Sequence, residues 1–455
     1  MKKTLVALAA LAATGAFAQT SVQITGAVDA GYKTISHDKN ATAEWKGIGG
    51  NNVATSNITF KGVDDIGGGL KGIFLYEIDP TVERNTTLNQ SATNLGQTYT
   101  GASAVNSEAY VGLQSASVGE LKLGTPNSPA MTGFNANAHP FGTAMGGGWS
   151  SGFGRLGTAP ISGMNQYLGG PSSAGRIVRS EKAAVYTSPV FNGFNAQIEY
   201  SAKNANGGYT SNDNGLLGLA ANYDQGPLKG SFYTGKVSAG ATSAAGTASG
   251  YYANPLTCYQ TGGTTAINGT SGAVDCKANY SNAVQGGALA ANESVKFNML
   301  SGNYTVGNTT VYAGYTTTKG TQAAAAAVAT SSTTTPAYVP EDSKSWNIAA
   351  KQVVGQFDFL GNYVVRKSNV AKADVFKAAT TSLPSDADYN NTQKLLGLGV
   401  NYNFSKLTQA YFRYERITGL NAAAASAAAS TGTPAVSAFG GATQTTTAVG
   451  LKTVF

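Results

Sequence analysis

Apolar residues recur at every second position in segment after segment, from residue 21 to the last, and nowhere run unbroken for the 18 or so positions that a membrane helix needs. Val22, Ile24, Val28, Ala30 and Tyr32 alternate with Gln23, Thr25, Asp29 and Gly31. Phe194, Ala196, Ile198 and Tyr200 alternate with Asn195, Gln197, Glu199 and Ser201. Leu396, Leu398, Val400 and Tyr402 alternate with Leu395, Gly397, Gly399 and Asn401. A period of two gives a β-strand one apolar and one polar face. Sixteen such strands are predicted, near 21–33, 53–63, 69–79, 105–114, 119–125, 179–188, 193–202, 215–224, 227–237, 292–304, 309–319, 344–353, 356–367, 393–403, 407–417 and 445–455. The count is even, and short dividers such as 224–227 alternate with long ones rich in Ala, Thr, Ser and Gly. An outer-membrane barrel needs this arrangement, because closure leaves no strand edge in lipid. A soluble β-sandwich or β-helix also shows period-2 strands, but has no reason to place every long connection at one end. Only 12% of the residues are charged, about half the usual share, and 58 are Gly. The polar face is therefore Gly, Thr and Asn, unlike that of a cytosolic α/β enzyme.

Lys2 and Lys3, the apolar run from Leu5 to Ala13, and Ala16-Phe17-Ala18 read as a secretory signal peptide. The expected organisation is a signal at 1–18, cleaved between Ala18 and Gln19, and one barrel domain at 19–455.

The segments at Ser21–Tyr32 (SVQITGAVDAGY), Ser56–Glu77 (SNITFKGVDDIGGGLKGIFLYE), Ala109–Gly124 (AYVGLQSASVGELKLG), Ala184–Phe194 (AVYTSPVFNGF), Asn222–Leu228 (NYDQGPL), Leu398–Thr408 (LGVNYNFSKLT) and Gly450–Phe455 (GLKTVF) resemble, in order, strands and hairpins of the general porins of Gram-negative bacteria, in their betaproteobacterial branch. The resemblance implies a 16-stranded antiparallel transmembrane β-barrel, usually a homotrimer, with a long third outer loop folded into the lumen. Here that loop is the stretch 126–178. The resemblance also implies that Phe455, in phase with Val449, Leu451 and Thr453, is the signal read by the barrel-assembly machinery. The expected surroundings are outer-membrane lipid and lipopolysaccharide.

Porins select by charge at the constriction, and the resemblance places three wall arginines there. This chain has Asn57, Ser107 and Thr125 at the matching positions. From Leu121 to Ser180 there is no Asp or Glu, while Lys122, Arg155, Arg176 and Arg179 are present. Parity assigns Lys61, Lys71, Arg179, Lys296, Arg366, Arg413 and Lys452 to the lumen, against Asp29, Glu77, Glu181, Glu199, Asp358 and Glu415. With Arg155 and Arg176 counted, a weak anion preference is expected.

Cys258 and Cys276 are the only cysteines, and an even count in an exported chain favours a disulfide over a metal pair. Gly67-x-Gly69-x-x-Gly72 spells a dinucleotide fingerprint, but strand rather than helix follows it, so it reads as a turn. His37 and His139 both fall in predicted loops, so a Ser-His hydrolase on the wall is not supported. No metal cluster, cofactor or catalytic site is expected. A formal charge of +7 invites a nucleic-acid reading, yet the bases are scattered rather than striped along the chain. The function expected is a diffusion channel for small hydrophilic solutes and anions. The alternatives are a substrate-specific channel for an anionic nutrient and a structural or adhesive surface barrel.

Overall fold

The computed structural model describes residues 21–38, 45–50, 52–80, 82, 92–94, 97–99, 108–142, 144–147, 179, 182–202, 215–238, 257–260, 274–277, 294–321, 343–368, 391–422 and 439–455. Sixteen antiparallel strands close into a barrel. The first half contains β1 (Ser21–His37), β3 (Asn57–Gly67), β4 (Leu70–Ile78), β7 (Ala109–Ser115), β8 (Gly119–Thr125), β9 (Ala183–Thr187), β10 (Phe194–Ser201) and β11 (Gly215–Gln225). The second contains β12 (Leu228–Ser238), β15 (Ser294–Val306), β16 (Thr309–Thr321), β17 (Ser343–Val354), β18 (Phe357–Ser368), β19 (Thr392–Asn403), β20 (Thr408–Ala422) and β21 (Phe439–Val454). Closure is the pairing of β1 with β21, from Ala27 opposite Val454 to His37 opposite Gln444. Two short hairpins form separate sheets: β5 (Ala92–Asn94) with β6 (Gln97–Tyr99), and β13 (Thr257–Gln260) with β14 (Val274–Lys277).

The turns at one end are tight for a local reason. Gly226, Gly307 and Gly355 each take a φ near +60° (62°, 56° and 58°) as the first of two turn residues, the conformation that two-residue hairpins demand and that glycine adopts without a Cβ penalty. Gly67, Gly68 and Gly69 also lie at positive φ, between β3 and β4, so the fingerprint-like cluster is a turn.

The alternation maps onto two environments. Val111 is 62% exposed, Ile348 60% and Leu398 44%, all on the outer face. Leu396 is exposed beside Leu398 as expected, whereas Leu395 on the opposite parity is fully buried. Phe455 shares the outward parity and exchanges backbone hydrogen bonds with Gly26 (2.9 and 3.0 Å), tying the chain end to the first strand.

Two expectations change. The second barrel strand does not run unbroken from residue 53. It is split into β2 (Trp45–Gly50), paired with the upper part of β1, and β3, paired with the lower part. Ala30 pairs with Gly50 and Ala27 with Asn57, so the intervening segment carries four more residues than β1 offers opposite it. These turn inward and are caught by Asp29. Lys296 does not face the lumen. It is exposed on the outer parity with Leu300, while Phe297 and Met299 point inward and are buried.

Candidate pore lining

Period-2 geometry delivers a polar inner face on most strands, and two arcs use it differently. On the arc from β3 to β8, Asn57 Nδ2 and Thr59 Oγ1 both donate to Glu77 Oε2 at 2.8 Å. Glu108, just before β7, accepts from the Asn127 backbone N–H (2.9 Å) and side-chain amide (2.8 Å). Asn127 Oδ1 in turn accepts from Arg179 Nη1 at 3.1 Å. Lys122 pairs with Glu120 at 2.8 Å and stands 4.8 Å from the centroid of the Tyr110 ring. Lys61 and Lys71 lie on the inner parity and are exposed.

The arc from β12 round to β1 is covered from within by the start of the third loop. A six-residue π-helical turn, Ala130–Asn135, runs into an α-helical turn, Ala136–Ala138. The wall offers the loop one polar side chain after another. Ser301 Oγ donates to the Phe134 carbonyl (2.9 Å) and Asn303 Nδ2 to Asn137 Oδ1 (3.0 Å). Asn347 Nδ2 donates to the Ala138 carbonyl (2.7 Å). Asn362 Nδ2 donates to the carbonyls of Gly146 (3.1 Å) and Gly147 (2.9 Å), and Glu415 Oε2 accepts from the Gly146 N–H at 2.7 Å. Close approach requires glycine on the wall: a Cβ at Gly397 would sit 2.3 Å from the Gly146 carbonyl oxygen. Irregular backbone at this depth is tolerated because its polar groups are satisfied by protein or by lumen water.

The inward insertion of the second strand completes the cover. Asp29 Oδ2 accepts backbone N–H groups from Asn52 (2.6 Å), Val53 (2.7 Å) and Ala54 (3.1 Å), and Oδ1 accepts the Tyr411 hydroxyl at 2.5 Å. The Asn52 carbonyl then accepts the Met145 N–H at 3.3 Å, so insertion and loop meet. His139 is buried in this loop, and its Nδ1 accepts the Phe141 N–H at 3.3 Å. Loss of solvent lowers its pKa from the usual 6.5 to about 4.

Burial sorts the inner charges. Asp29, Glu199, Asp358 and Glu415 are at most 9% exposed. Arg366 and Arg413 are also buried; Arg413 donates to Asn401 Oδ1 (2.8 Å) and the Phe412 carbonyl (2.9 Å) and lies 5.7 Å from the centroid of the Phe141 ring. Lys452, opposite Asp29 in register, is half-buried on the inner parity. Thr125 ends β8 opposite Ala109, on the parity of Leu121 and Leu123. Ser107, Arg155, Arg176, Glu181, Ala18 and Gln19 lie outside the described residues. The loop anchors Ser301, Asn303, Asn347 and Asn362 were not singled out from sequence. Their one signal was Asn or Ser at inward positions of β15, β17 and β18.

The family model described as Gram-negative porin matches residues 4–339. Outer membrane porin protein 32 of Delftia acidovorans is 28% identical over 236 residues, 51% of this chain and 58% of that protein. Major outer membrane protein P.IB of Neisseria gonorrhoeae is 31% identical over 217 residues, 46% of this chain and 50% of that protein. The chain thus spans about half the length of the curated relatives it matches. Among solved structures, an anion-selective porin from Comamonas acidovorans superposes with a TM-score of 0.59, covering 96% of this chain and all of that one, at 18% identity. OmpT of Vibrio cholerae, in its trimer form, gives 0.51 over 96% of this chain and 99% of that one, at 12% identity. These structural likenesses are likenesses of fold.

Proposed function

Because this chain belongs to the Gram-negative porin family of the outer membrane, we propose that it is a general diffusion channel passing small hydrophilic solutes and ions, with a weak preference for anions. The observation that carries the reading is the sorting of charges by burial. Four inner carboxylates are withdrawn from water, and they hold the loop, the insertion or neighbouring wall residues. Lys61 and Lys71 face water, and Arg179 and Lys452 are half-exposed. A solute in the lumen therefore meets bases with less screening than acids, and charges beyond about 8–10 Å are damped by salt. The preference is weak because Glu77, Glu108 and Glu120 are only partly buried on the same open arc, and because Asn57 stands where the family resemblance places an arginine. The fold neighbour from Comamonas acidovorans is itself described as anion-selective, which supports the sign.

Homotrimers, removal of residues 1–18 by signal cleavage after Ala18, and recognition of the strand ending in Phe455 by the assembly machinery belong to the same reading. So does a disulfide between Cys258 and Cys276, whose backbones are direct partners in the β13–β14 hairpin. Antiparallel partners lie about 4.5–5.5 Å apart at Cα, inside the span a disulfide bridges. Thiol labelling of the unreduced, unfolded protein will find no free cysteine.

The test is conductance in planar bilayers with increasing salt. A diffusion channel gives conductance that rises in proportion to concentration. Saturation at low concentration of one anion would favour the substrate-specific alternative, and absence of conductance the structural barrel.

A further inference from the structure

The second strand of the barrel leaves its ladder in a way that preserves its faces. Ile48 on β2 stands opposite Tyr32, and Phe60 on β3 opposite Ile24; Ile48, Tyr32 and Ile24 are all exposed on the outer side. The excess between β2 and β3 is four residues. An odd excess would turn one half of the strand inside out, and an even one does not. The gap in the wall is closed by one hydroxyl. Ser56 Oγ accepts the Asp29 N–H at 3.0 Å and donates to the Asp29 carbonyl at 3.3 Å. It does for Asp29 what a paired strand does for the residues on either side, as a wall in lipid requires.

The inserted residues stand in the lumen and are held from two sides. On the wall side, Asp29 takes the N–H groups of Asn52, Val53 and Ala54. Asn52 Nδ2 also donates to the Gly49 carbonyl (2.8 Å) and to the Tyr411 hydroxyl (2.9 Å). Val53 packs against Met145, Tyr411 and Ala448. On the lumen side, the Met145 N–H donates to the Asn52 carbonyl at 3.3 Å and joins the insertion to the third loop. That loop is itself tied to β18 and β20 through Asn362 and Glu415. Loop and insertion thus form one shelf from β15 round to β1, and the remaining passage lies against the arc from β3 to β8.

The insertion brings bulk without charge. No residue from Gly47 to Phe60 is ionisable, and the next charge along the chain, Lys61, is on the wall. Val53, Ala54 and Thr55 are half-buried, and what they expose faces lumen water. We propose that residues 51–56 are a second constriction element, which limits the size of the solute that passes and leaves the choice of charge to the wall. Pore diameter and electrostatic barrier are separable contributions to selectivity. Here they fall on different parts of the chain: the insertion is the steric limit, and Lys61, Lys71 and Arg179 are the field. The proposal rests on the channel reading. Asp29 is fully buried under the insertion, so removing the insertion alone would also uncover a carboxylate.

The test compares the unaltered barrel with a deletion of residues 51–54, made once with Asp29 kept and once with Asp29→Asn. The deletion joins Gly50 to Thr55 and restores a direct register without exchanging faces. Conductance in planar bilayers and the entry of neutral sugars of rising size into liposomes are measured. Both deletions are expected to raise conductance about twofold, as a wider aqueous section does, and to admit larger sugars. The reversal potential should stay at the unaltered value in the Asp29→Asn form and move toward cations where Asp29 is kept. Thr55→Cys leaves the clasp and the loop contact in place. Its reaction with a bulky uncharged thiol reagent should cut conductance by about half and leave the reversal potential alone, with the unaltered protein treated alike as the control. Heat-modifiable gel mobility reports closure of each barrel, and the Thr55→Cys labelling decides the question if the deletions do not close. Unchanged conductance and sugar limit in a closed deletion barrel, or a labelled Thr55→Cys barrel that conducts as before, overturns the proposal and leaves the channel reading intact. A shifted reversal potential in the Asp29→Asn deletion overturns the division between size and charge. An unaltered barrel that seals the membrane overturns the channel reading and the proposal with it.

Discussion

The two arcs of the inner wall are built from the same alternation and do opposite things with it. From β3 to β8 the inward side chains are charged, partly exposed and paired with near neighbours: Lys122 with Glu120, Glu77 with Asn57 and Thr59. From β12 round to β1 they are largely Asn, Ser and Gly, and the carboxylates among them are buried: Asp29 under residues 52–54, Glu415 under Gly146. One arc presents charge to solutes. The other spends it on holding the loop that shapes the passage. A tally of inward charges treats both alike, and burial is what separates them.

The largest effect is expected where the covered arc is tied most tightly. Asp29→Ala leaves three backbone N–H groups and the Tyr411 hydroxyl without their acceptor. Loss of one partner from a buried charged network costs about 3–5 kcal/mol, and the variant should show a clear fall in its unfolding midpoint in denaturant. Next comes pH. His139 is neutral in the folded loop because its pKa is lowered to about 4 from an ordinary 6.5. The unfolded state therefore binds the extra proton first, and stability is lost as pH falls from about 6.5 toward 4, by about 3 kcal/mol in full. Single-channel traces should become noisy across that window, and His139→Gln should remove the pH dependence.

Gly397→Val places methyl groups where the Gly146 carbonyl oxygen sits. Overpacking of this kind costs about 1–3 kcal/mol, and the readout is loop-dependent fluctuation in conductance with the barrel still closed. On the open arc the order reverses. Lys61→Gln with Arg179→Gln should change stability by less than about 0.5 kcal/mol, as surface substitutions usually do, yet move the reversal potential toward cations. If the double change on the open arc destabilises the barrel as much as Asp29→Ala does, the two arcs are not different in kind.

The barrel was legible because lipid imposes period two on every strand and closure imposes an even count; the predicted 309–319 lies within the observed β16, and the predicted 356–367 meets β18 to within one residue at each end. The site was less so, for three physical reasons. On β15 the inward Phe297 and Met299 are more apolar than the outward Lys296 and Asn298, so hydropathy points the wrong way there. The break in strand two is set by Asp29, more than twenty residues away. Lys236, Lys296 and Lys319 stand side by side on the outer face through register alone, and no local pattern brings together residues so far apart. The wall asparagines that hold the loop look, along the chain, like any other polar face.

The central claim is that the barrel is an open, water-filled path whose exposed bases outweigh its exposed acids. The reversal potential of the unaltered protein across a tenfold KCl gradient tests it most directly. A small potential on the anion-selective side, well short of the ideal value for chloride, is the predicted result. A potential on the cation-selective side, or a membrane that stays sealed after insertion, would contradict it.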